Sequence, residues 1–323
     1  MDDTDSIILQ ALQLQPRASF TAIGEVAGVS EQTAARRYRA LRRQGVIHVV
    51  GQVAPQAQAL AEWVTRATCR PDAVDDVARW LVAQSNVTYA HVSGGGAEVV
   101  FMTRLPLTEI GEHQIFKGLV RSSAVHTVDV QLVLHQFGQS THWTGFGVQM
   151  NDEQRSRLSP HTDNRGRSHV KILESDAPLL EALREDGRAS GAHLAQITGW
   201  TPGKVQRRME ALEDAGLLIY DVELLPEGLG HYISSVLWLR TAPGAVEVAG
   251  TALTGYPEVA SVYAVSGDYH IMAIVICRDG EHLYRFLTAT IPELPGVQSY
   301  SASVRLRRLK LGNATISRGR LVT

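Results

Sequence analysis

The chain contains two copies of one sequence pattern. When the RAS triplet at 17–19 is aligned with the RAS triplet at 188–190, residues 5–47 match residues 176–218 at thirteen of 43 positions without a gap. Ordinary composition would give about three such matches. An offset of 171 residues is too long for a solenoid repeat, so the pattern predicts a duplicated two-domain protein. The looser continuation of the repeat aligns 85–104 with 257–278 and 124–134 with 296–306.

The composition is that of a soluble globular protein, with 323 residues, 44% hydrophobic and 20% charged. We find neither an apolar run of 18 residues nor a signal-peptide pattern, so we expect a cytoplasmic protein without a membrane partner. Cys69 and Cys277 are too few for a disulfide framework or a thiolate metal site, and both are expected to be buried thiols. Because the net charge is −2, nucleic-acid binding would require basic charge concentrated locally.

The first ~50 residues of each copy have the apolar periodicity of three short helices. In the first copy, the second helix is expected to end at Gly28, and Ser30 is expected to cap a third helix that runs to Gly45. Two helices joined by a short glycine-containing turn are typical of a helix-turn-helix. The sequence VIHVVGQV at 46–53 predicts a strand that leads out of this unit.

The rest of each copy alternates strands and helices in the order βαββαβ, which is ferredoxin-like. The predicted fold class is therefore α+β, with two copies of an N-terminal three-helix (winged) helix-turn-helix unit followed by a ferredoxin-like βαββαβ domain. The final strand of the second copy is predicted to run over 297–309, and one helical turn is expected near Asp152–Leu158 in a polar linker. The predicted segments are 1–52 (helix-turn-helix 1), 60–137 (ferredoxin-like 1), 138–170 (linker), 171–222 (helix-turn-helix 2), 230–312 (ferredoxin-like 2) and 313–323 (tail).

Five arginines lie between residues 30 and 45, on the third helix of the first copy. At 100° per residue, Ala34, Tyr38 and Leu41 form one stripe that faces the core, which places most of the arginines outside. A basic face of this kind is often only a solvated surface, but here it accompanies a helix-turn-helix, whose third helix enters the major groove. The residues expected to read base edges are Gln32, Thr33 and Arg36, and those expected to contact phosphate are Arg17, Ser30, Arg37, Arg39 and Arg43.

The second copy keeps the core stripe as Val205, Met209 and Leu212, but its outward face is less basic. Glu210 and Asp214 stand there, and carboxylates beside phosphates oppose binding. We therefore expect the two helix-turn-helix units to bind DNA unequally, the first strongly and the second weakly. The basic residues that remain as candidate DNA contacts are Lys204, Arg207 and Arg208.

These features resemble the Lrp/AsnC family of prokaryotic transcriptional regulators. The sequence marks of the resemblance are the D-x-x-D start at 2–5, RASF at 17–20, S-x-x-T-x-x-R-R at 30–37, L-x-x-x-G-V-I at 41–47 and SGDYH at 266–270. The resemblance covers nearly the whole chain, twice over. It implies a sequence-specific regulator of double-stranded DNA whose ferredoxin-like domains pair into dimers or higher oligomers. It also implies a small-molecule effector, an amino acid or a related metabolite.

In that family a loop between two strands of the ligand-binding domain contacts the effector. The family loop usually carries an acid where this chain has His270, so an amino-acid amine would depend on Glu98 or Asp268 instead. The glycines of the first loop permit close approach of a ligand, but they suit a simple hairpin turn equally well. The candidate effector residues are Gly94, Gly95, Gly96, Glu98, Gly267, Asp268, Tyr269 and His270.

The chain shows no nucleophile elbow and no zinc or nucleotide-binding spacing, so we expect no catalytic residues, no metal and no cofactor. One enzymatic alternative shares the predicted architecture. Siroheme decarboxylases resemble paired Lrp/AsnC halves, and in that alternative His91, His126 or His270 would donate protons. The basic tail, with Arg305, Arg307, Arg308, Lys310, Arg318 and Arg320, is interpreted as strand-edge charge or, alternatively, as a supplementary DNA contact.

Overall fold

The computed structural model describes residues 1–54, 60–108, 110, 113–138, 143–158, 170–312, 314–317 and 320–322. The chain divides into two compact units, each built from both copies. The helix-turn-helix pair contains residues 1–59 and 147–225, and the ferredoxin-like pair contains residues 60–146 and 226–322.

The helices and strands follow the order expected of a duplicated helix-turn-helix and βαββαβ protein, and the predicted fold class is confirmed. The helices are α1 (Asp3–Leu14), α2 (Phe20–Ala27), α3 (Glu31–Arg43), α4 (Val74–Val82), α5 (Gln114–Arg121), α6 (Asp152–Leu158), α7 (Ala177–Glu185), α8 (Gly191–Thr198), α9 (Pro202–Asp214), α10 (Val246–Leu253) and α11 (Gly280–Arg285). The strands are β1 (Ile47–Val53), β2 (Ala61–Cys69), β3 (Val87–Ser93), β4 (Glu98–Leu105), β5 (Val125–Phe137), β6 (Leu218–Leu224), β7 (Ile233–Thr241), β8 (Val259–Val265), β9 (Ile271–Cys277), β10 (Val297–Val304), β11 (Arg307–Leu311), β12 (Ala314–Ser317) and β13 (Arg320–Val322).

Local signals set the ends of the helices in the helix-turn-helix pair. Asp2 caps α1 in a capping box with Asp5, and Ser30 caps α3 by accepting from the Thr33 amide at 3.2 Å. Helix α2 ends at Gly28, whose φ of +68° is accessible to glycine at low cost. The second copy ends α8 in the same way at Gly199.

The strand after each helix-turn-helix unit pairs with its counterpart in the other copy. Strands β1 and β6 are antiparallel, and Val50 lies opposite Asp221, its equivalent at the offset of 171 residues. The pair is therefore arranged about a local pseudo-two-fold axis. In the described residues, the predicted wing is this two-stranded sheet shared by both copies.

The ferredoxin-like pair forms an eleven-stranded sheet in the order β10-β7-β9-β8-β5-β2-β4-β3-β11-β12-β13. The end of β5 leaves its own copy to pair with β8, where His135 lies opposite Ala264. Correspondingly, β11 pairs with β3, where Arg307 lies opposite Val92. The single strand predicted over 297–309 was wrong, because the chain bends at residues 305 and 306 and its second part crosses to the other copy.

Among the described residues of this unit, three apolar clusters form the core. Two are each centred on one copy, around Phe101 and Ile115 in the first and around Leu237 and Phe286 in the second, although the latter also contains Phe137 of the first copy. The third contains side chains from both copies, with Trp238 fully buried in it. Burial of apolar area shared in this way stabilises the pairing.

Two segments interpreted as peripheral are part of the folded structure. The helical turn expected in the linker is α6, and the segment before it is hydrogen-bonded to the first helix-turn-helix, since Gln10 donates to the Val148 carbonyl at 2.7 Å. The linker residues 139–142 and 159–169 lie outside the described residues. The predicted tail forms strands β12 and β13, which extend the sheet from β11.

Cys69 and Cys277 are buried thiols, as expected. Over the described residues, no helix is long and apolar enough to cross a membrane. In the same part of the chain, no group of three His, Cys, Asp or Glu side chains is placed to hold a metal ion.

Candidate nucleic-acid interface

Helix α3 has one buried apolar face and one exposed face that is rich in arginine. Ala34, Tyr38 and Leu41 are buried against the other helices, as the periodicity predicts. The opposite face is open to solvent, and Ser30 and Thr33 stand at the helix start, with their hydroxyl oxygens 3.0 Å apart. The side chains on the exposed face are Gln32, Arg36, Arg39 and Arg43.

The exposed arginines of α3 differ from Arg37 in their surroundings. Among the described residues, Arg36, Arg39 and Arg43 form no ion pair. Arg37 instead contacts Asp2 and Asp5 at 2.7 and 2.8 Å. The hydrogen bonds that Arg37 donates to Asp5 and Asp2 raise the pKa of Arg37 and hold the guanidinium against the start of α1. Arg37 therefore has a structural role in this unit. From the sequence it was predicted to contact phosphate.

Arg17 also differs from its predicted role. Its guanidinium donates to the carbonyls of Gly187 and Ala189 in the second copy and lies 5.6 Å from the centre of the Tyr220 ring. Its equivalent, Arg188, donates to the Pro16 and Ala18 carbonyls at 2.6 and 2.8 Å. The two RAS triplets therefore form a reciprocal clasp between the helix-turn-helix units, since each arginine satisfies carbonyls in the turn of the other copy.

Helix α9, the equivalent of α3 in the second copy, buries Val205, Met209 and Leu212 and exposes a face with both basic and acidic residues. Arg208 forms an ion pair with the buried Asp176, the counterpart of the contact between Arg37 and Asp5. Arg207 donates to the Gly203 carbonyl at 3.1 Å, and Lys204 lies 4.2 Å from the centre of the Trp200 ring. Exposed Glu210 and Asp214 reduce the positive potential of this face.

The two candidate effector loops both lie in the ferredoxin-like pair. In the first, Gly94, Gly95 and Gly96 all have positive φ in a tight turn. Glu98 accepts from the Ser93 hydroxyl at 2.7 Å and contacts Arg66 at 2.9 Å. A carboxylate that already has a guanidinium partner has less attraction for a ligand amine.

In the second loop, Gly267 and Asp268 are exposed, and Tyr269 packs 6.4 Å from the Trp238 ring. His270 is bonded through Nδ1, which accepts from the Thr241 amide at 3.2 Å. The loop residues are therefore placed as a surface turn with one exposed acid, Asp268. Their contact with an effector stays a prediction.

The sequence profile of the AsnC-type helix-turn-helix domain matches residues 1–42 and 174–213. That of the Lrp/AsnC ligand binding domain matches residues 234–315. The HTH-type transcriptional regulator LrpA of Pyrococcus abyssi is 30% identical over 140 residues, which cover 43% of this chain and 99% of LrpA. The chain belongs to the Lrp/AsnC family.

A second relative shows the same proportions. The HTH-type transcriptional regulator Ptr1 of Methanocaldococcus jannaschii is 27% identical over 139 residues, which cover 43% of this chain and 94% of Ptr1. Each of these relatives thus corresponds to about one copy of this Lrp/AsnC protein, and the two separate helix-turn-helix matches confirm the tandem duplication.

Among solved structures, the siroheme decarboxylase NirDL aligns with 98% of this chain and 95% of its own, with a TM-score of 0.63 and 13% sequence identity. At this identity the likeness shows a shared fold and carries no activity across. Two of the histidines named above as proton donors for the enzymatic alternative differ from each other in burial. His91 is fully buried, and His126 is exposed.

This Lrp/AsnC protein contains a buried basic cluster that was not predicted from the sequence. The basic tail was interpreted as strand-edge charge, but Arg308 and Lys310 are each 8% exposed because β11 pairs with β3. Lys310 donates to the Gln84 carbonyl at 3.0 Å. Arg318 lies outside the described residues. The signal available in the sequence was the density of arginines in an otherwise apolar strand, at 305–311.

Proposed function

We propose that this Lrp/AsnC protein is a sequence-specific transcriptional regulator that acts by binding double-stranded DNA in the cytoplasm and has no catalytic role. The observation that carries the proposal is the exposed face of α3, where Arg36, Arg39 and Arg43 have no ion-pair partner among the described residues. Exposed guanidinium groups on a recognition helix can contact phosphates and guanine edges. The family and the names of the relatives support the same function.

The first helix-turn-helix unit is proposed to dominate recognition. Gln32, Thr33 and Arg36 lie toward the start of α3, which is the part that reads bases in a helix-turn-helix. Arg39 and Arg43 lie further along the same helix and suit phosphate contact. The equivalents of the last two in α9 are Glu210 and Asp214, so the second unit contributes less binding energy.

Fusion of the copies is proposed to make the pairing of the two helix-turn-helix units independent of protein concentration. In one chain, the partner of each helix-turn-helix is always present at high effective concentration. The two helix-turn-helix units are held together by the clasp of Arg17 and Arg188 and by the β1–β6 sheet. The ferredoxin-like pair is proposed to mediate further self-association and to bind a small-molecule effector, such as an amino acid, at the loops around Gly94–Gly96 and Asp268.

The test is fluorescence anisotropy with DNA from upstream of the protein's own coding region, at several salt concentrations. The variant with Arg36, Arg39 and Arg43 all replaced by alanine should bind about 100-fold more weakly at low salt. It should also show a shallower dependence on salt, because up to three phosphate neutralisations are lost. Replacement of Arg207 by alanine should reduce the affinity only slightly.

A matched control removes the same amount of positive charge from the ferredoxin-like pair. Arg70, Arg79 and Arg285 are exposed arginines of the ferredoxin-like pair, and their triple alanine variant should retain wild-type binding. Equal losses in the two triple variants would show that only net charge matters. If the wild type ignores both specific and random DNA at low salt, the proposed function is wrong.

The enzymatic alternative has a separate readout. A tetrapyrrole-binding protein shifts the Soret band of an added iron porphyrin, whereas a DNA-binding regulator without such a site leaves the spectrum unchanged. We expect no shift at protein concentrations above those that saturate DNA.

A further inference from the structure

A basic cluster is buried in the ferredoxin-like pair, where β11 of the second copy joins β3 of the first. Its members are Tyr89, His91, Glu227, Arg305 and Arg308. His91 lies opposite Arg308 in the β ladder, and its ring meets the Tyr89 ring edge-on with 5.3 Å between centres. Arg305 donates from Nη1 to the Tyr89 hydroxyl at 3.2 Å. The cluster therefore contains side chains from both copies.

Positive charge dominates the cluster. The side chains of Arg305 and Arg308 are 4% and 5% exposed, and both approach the same atom, Oε1 of Glu227, at 3.5 and 3.9 Å. These separations are long for charge-assisted hydrogen bonds, and the Glu227 side chain is 38% exposed. Two desolvated guanidinium groups thus lie side by side near one partly solvated carboxylate, and desolvation of a guanidinium group is costly. Burial lowers the pKa of Arg308 to about 10.

His91 adds a second indication. It is fully buried, and neither of its ring nitrogens has a hydrogen-bond partner in the described structure. Buried polar groups almost always have one. Burial, together with the charges of Arg305 and Arg308, holds the pKa of His91 well below its usual value. The imidazole is therefore neutral and can donate one hydrogen bond and accept another.

The duplication supplies an internal comparison. Residues 124–137 align with 296–309, and β5 crosses to β8 as β11 crosses to β3. The equivalents of Arg305, Arg308 and His91 are Val133, Gln136 and Tyr263. The same strand crossing therefore folds without any of these charges, and packing alone does not require the basic cluster.

We propose that the basic cluster binds a small oxyanion, the carboxylate or phosphate group of a metabolite. Guanidinium groups match the geometry of such oxygens, and the His91 ring and the Tyr89 hydroxyl supply further donors. The bound anion contacts the buried guanidinium groups and the His91 ring and lies where the two copies meet. Its members are different residues from the candidate effector residues of the loops at 94–98 and 267–270, and its occupancy does not depend on DNA binding.

The test follows the His91 side chain by ¹H–¹⁵N spectroscopy of the full-length protein labelled in its histidines. The His91 signal is assigned by its loss in His91→Tyr. Inorganic phosphate and acetate are titrated separately at constant ionic strength. We expect the His91 signal to shift saturably with at least one of the two anions. The arm that responds distinguishes a phosphate ligand from a carboxylate ligand.

Two variants copy the residues of the other half, which the strand crossing already accommodates. Arg308→Gln and Arg305→Val should each weaken the response at least tenfold, whereas Gln136→Met, at the equivalent position of the other crossing, should leave it unchanged. Phosphate bound by arginines of the recognition helices moves other signals and not that of His91. The proposal is overturned if neither anion shifts the His91 signal, or if the shift persists in both arginine variants.

Discussion

Equivalent residues of the two copies have kept the same internal partners while their exposed neighbours have diverged. Arg37 and Arg208 each bind an aspartate near the start of the first helix of their own copy. Arg17 and Arg188 each bind carbonyls of the opposite copy. At the residue scale, the repeated arginines of these two pairs therefore have structural roles. Of the arginines exposed on α3, Arg39 and Arg43 are replaced by acids on α9, whereas Arg36 is retained as Arg207.

Asp176 allows a prediction about stability and pH. Its carboxylate accepts from the Leu173 amide and from Nε of Arg208, both at 2.8 Å, and its side chain is 1% exposed. Burial is the largest single effect and opposes ionisation, but the hydrogen bonds from Arg208 and the Leu173 amide, with the nearby positive charges, together outweigh it and lower the pKa of Asp176 below its ordinary value. Asp176→Asn should reduce the free energy of unfolding at neutral pH by about 2–3 kcal/mol, measured by urea denaturation.

The sign of the pH dependence follows from the lowered pKa. The stabilisation by Asp176 is fully present above its unfolded pKa and is lost as the pH falls through the folded value. The difference between wild type and Asp176→Asn should therefore shrink below about pH 4. Asp5→Asn is the matched control, since Asp5 is 17% exposed and should contribute less. A difference that stays constant down to pH 3 contradicts the assignment.

At the scale of elements, strand β1 is the structural centre of the helix-turn-helix pair. It pairs with β6 along its whole length, and the turn between α7 and α8 packs against it. The Gly187 amide donates to the Val49 carbonyl at 2.8 Å. This contact brings the backbone of the second copy against the strand of the first and leaves little space for a side chain.

Two glycine substitutions test this contact. A Cβ at Gly187 would lie 2.8 Å from the carbonyl carbon of Val50, so Gly187→Ala should cost about 1–3 kcal/mol of unfolding free energy. Gly203 stands near the start of α9 with nothing within 4 Å of a Cβ. Gly203→Ala should therefore raise stability by about 0.5 kcal/mol, because alanine favours the helix. Equal effects of the two changes on the thermal midpoint would contradict the close approach.

At the scale of the whole molecule, duplication within one chain allows the two halves to differ. One recognition helix is basic and the other is mixed, and one strand crossing carries a buried basic cluster whereas the other is mostly apolar. A homodimer of single copies cannot separate these features, because one sequence serves both positions. The fused chain combines the pairing of a dimer with two unequal halves.

Introducing positive charge on α9 tests the proposed difference in DNA binding between the two helix-turn-helix units. Glu210→Arg with Asp214→Arg gives α9 the residue types that α3 has at Arg39 and Arg43. The double variant should bind upstream DNA at least tenfold more tightly and with a steeper salt dependence, by about two phosphate contacts. The same two changes in a chain that lacks the arginines of α3 should give weak binding. Unchanged affinity in the wild-type background would mean that α9 does not approach DNA.

The sequence alone determined the duplication, the order of the elements as far as β10 and the core stripes of α3 and α9. Those features depend on local spacing, since Ala34, Tyr38 and Leu41 lie within two turns of one helix and Ser30 caps it through the Thr33 amide. It also identified the exposed basic face of the candidate DNA site.

Only the tertiary structure decided which distant segments meet. Periodicity predicts that 297–309 is extended. It does not show that the chain bends at residues 305 and 306 and that the second part pairs with β3. The reason is that strands pair through backbone groups, which are the same in every residue type and do not identify the partner strand. The same holds for Arg17, whose partners are backbone carbonyls 170 and 172 residues away. The burial of Arg308 beside His91 follows from that strand pairing, and so does the proposed anion site.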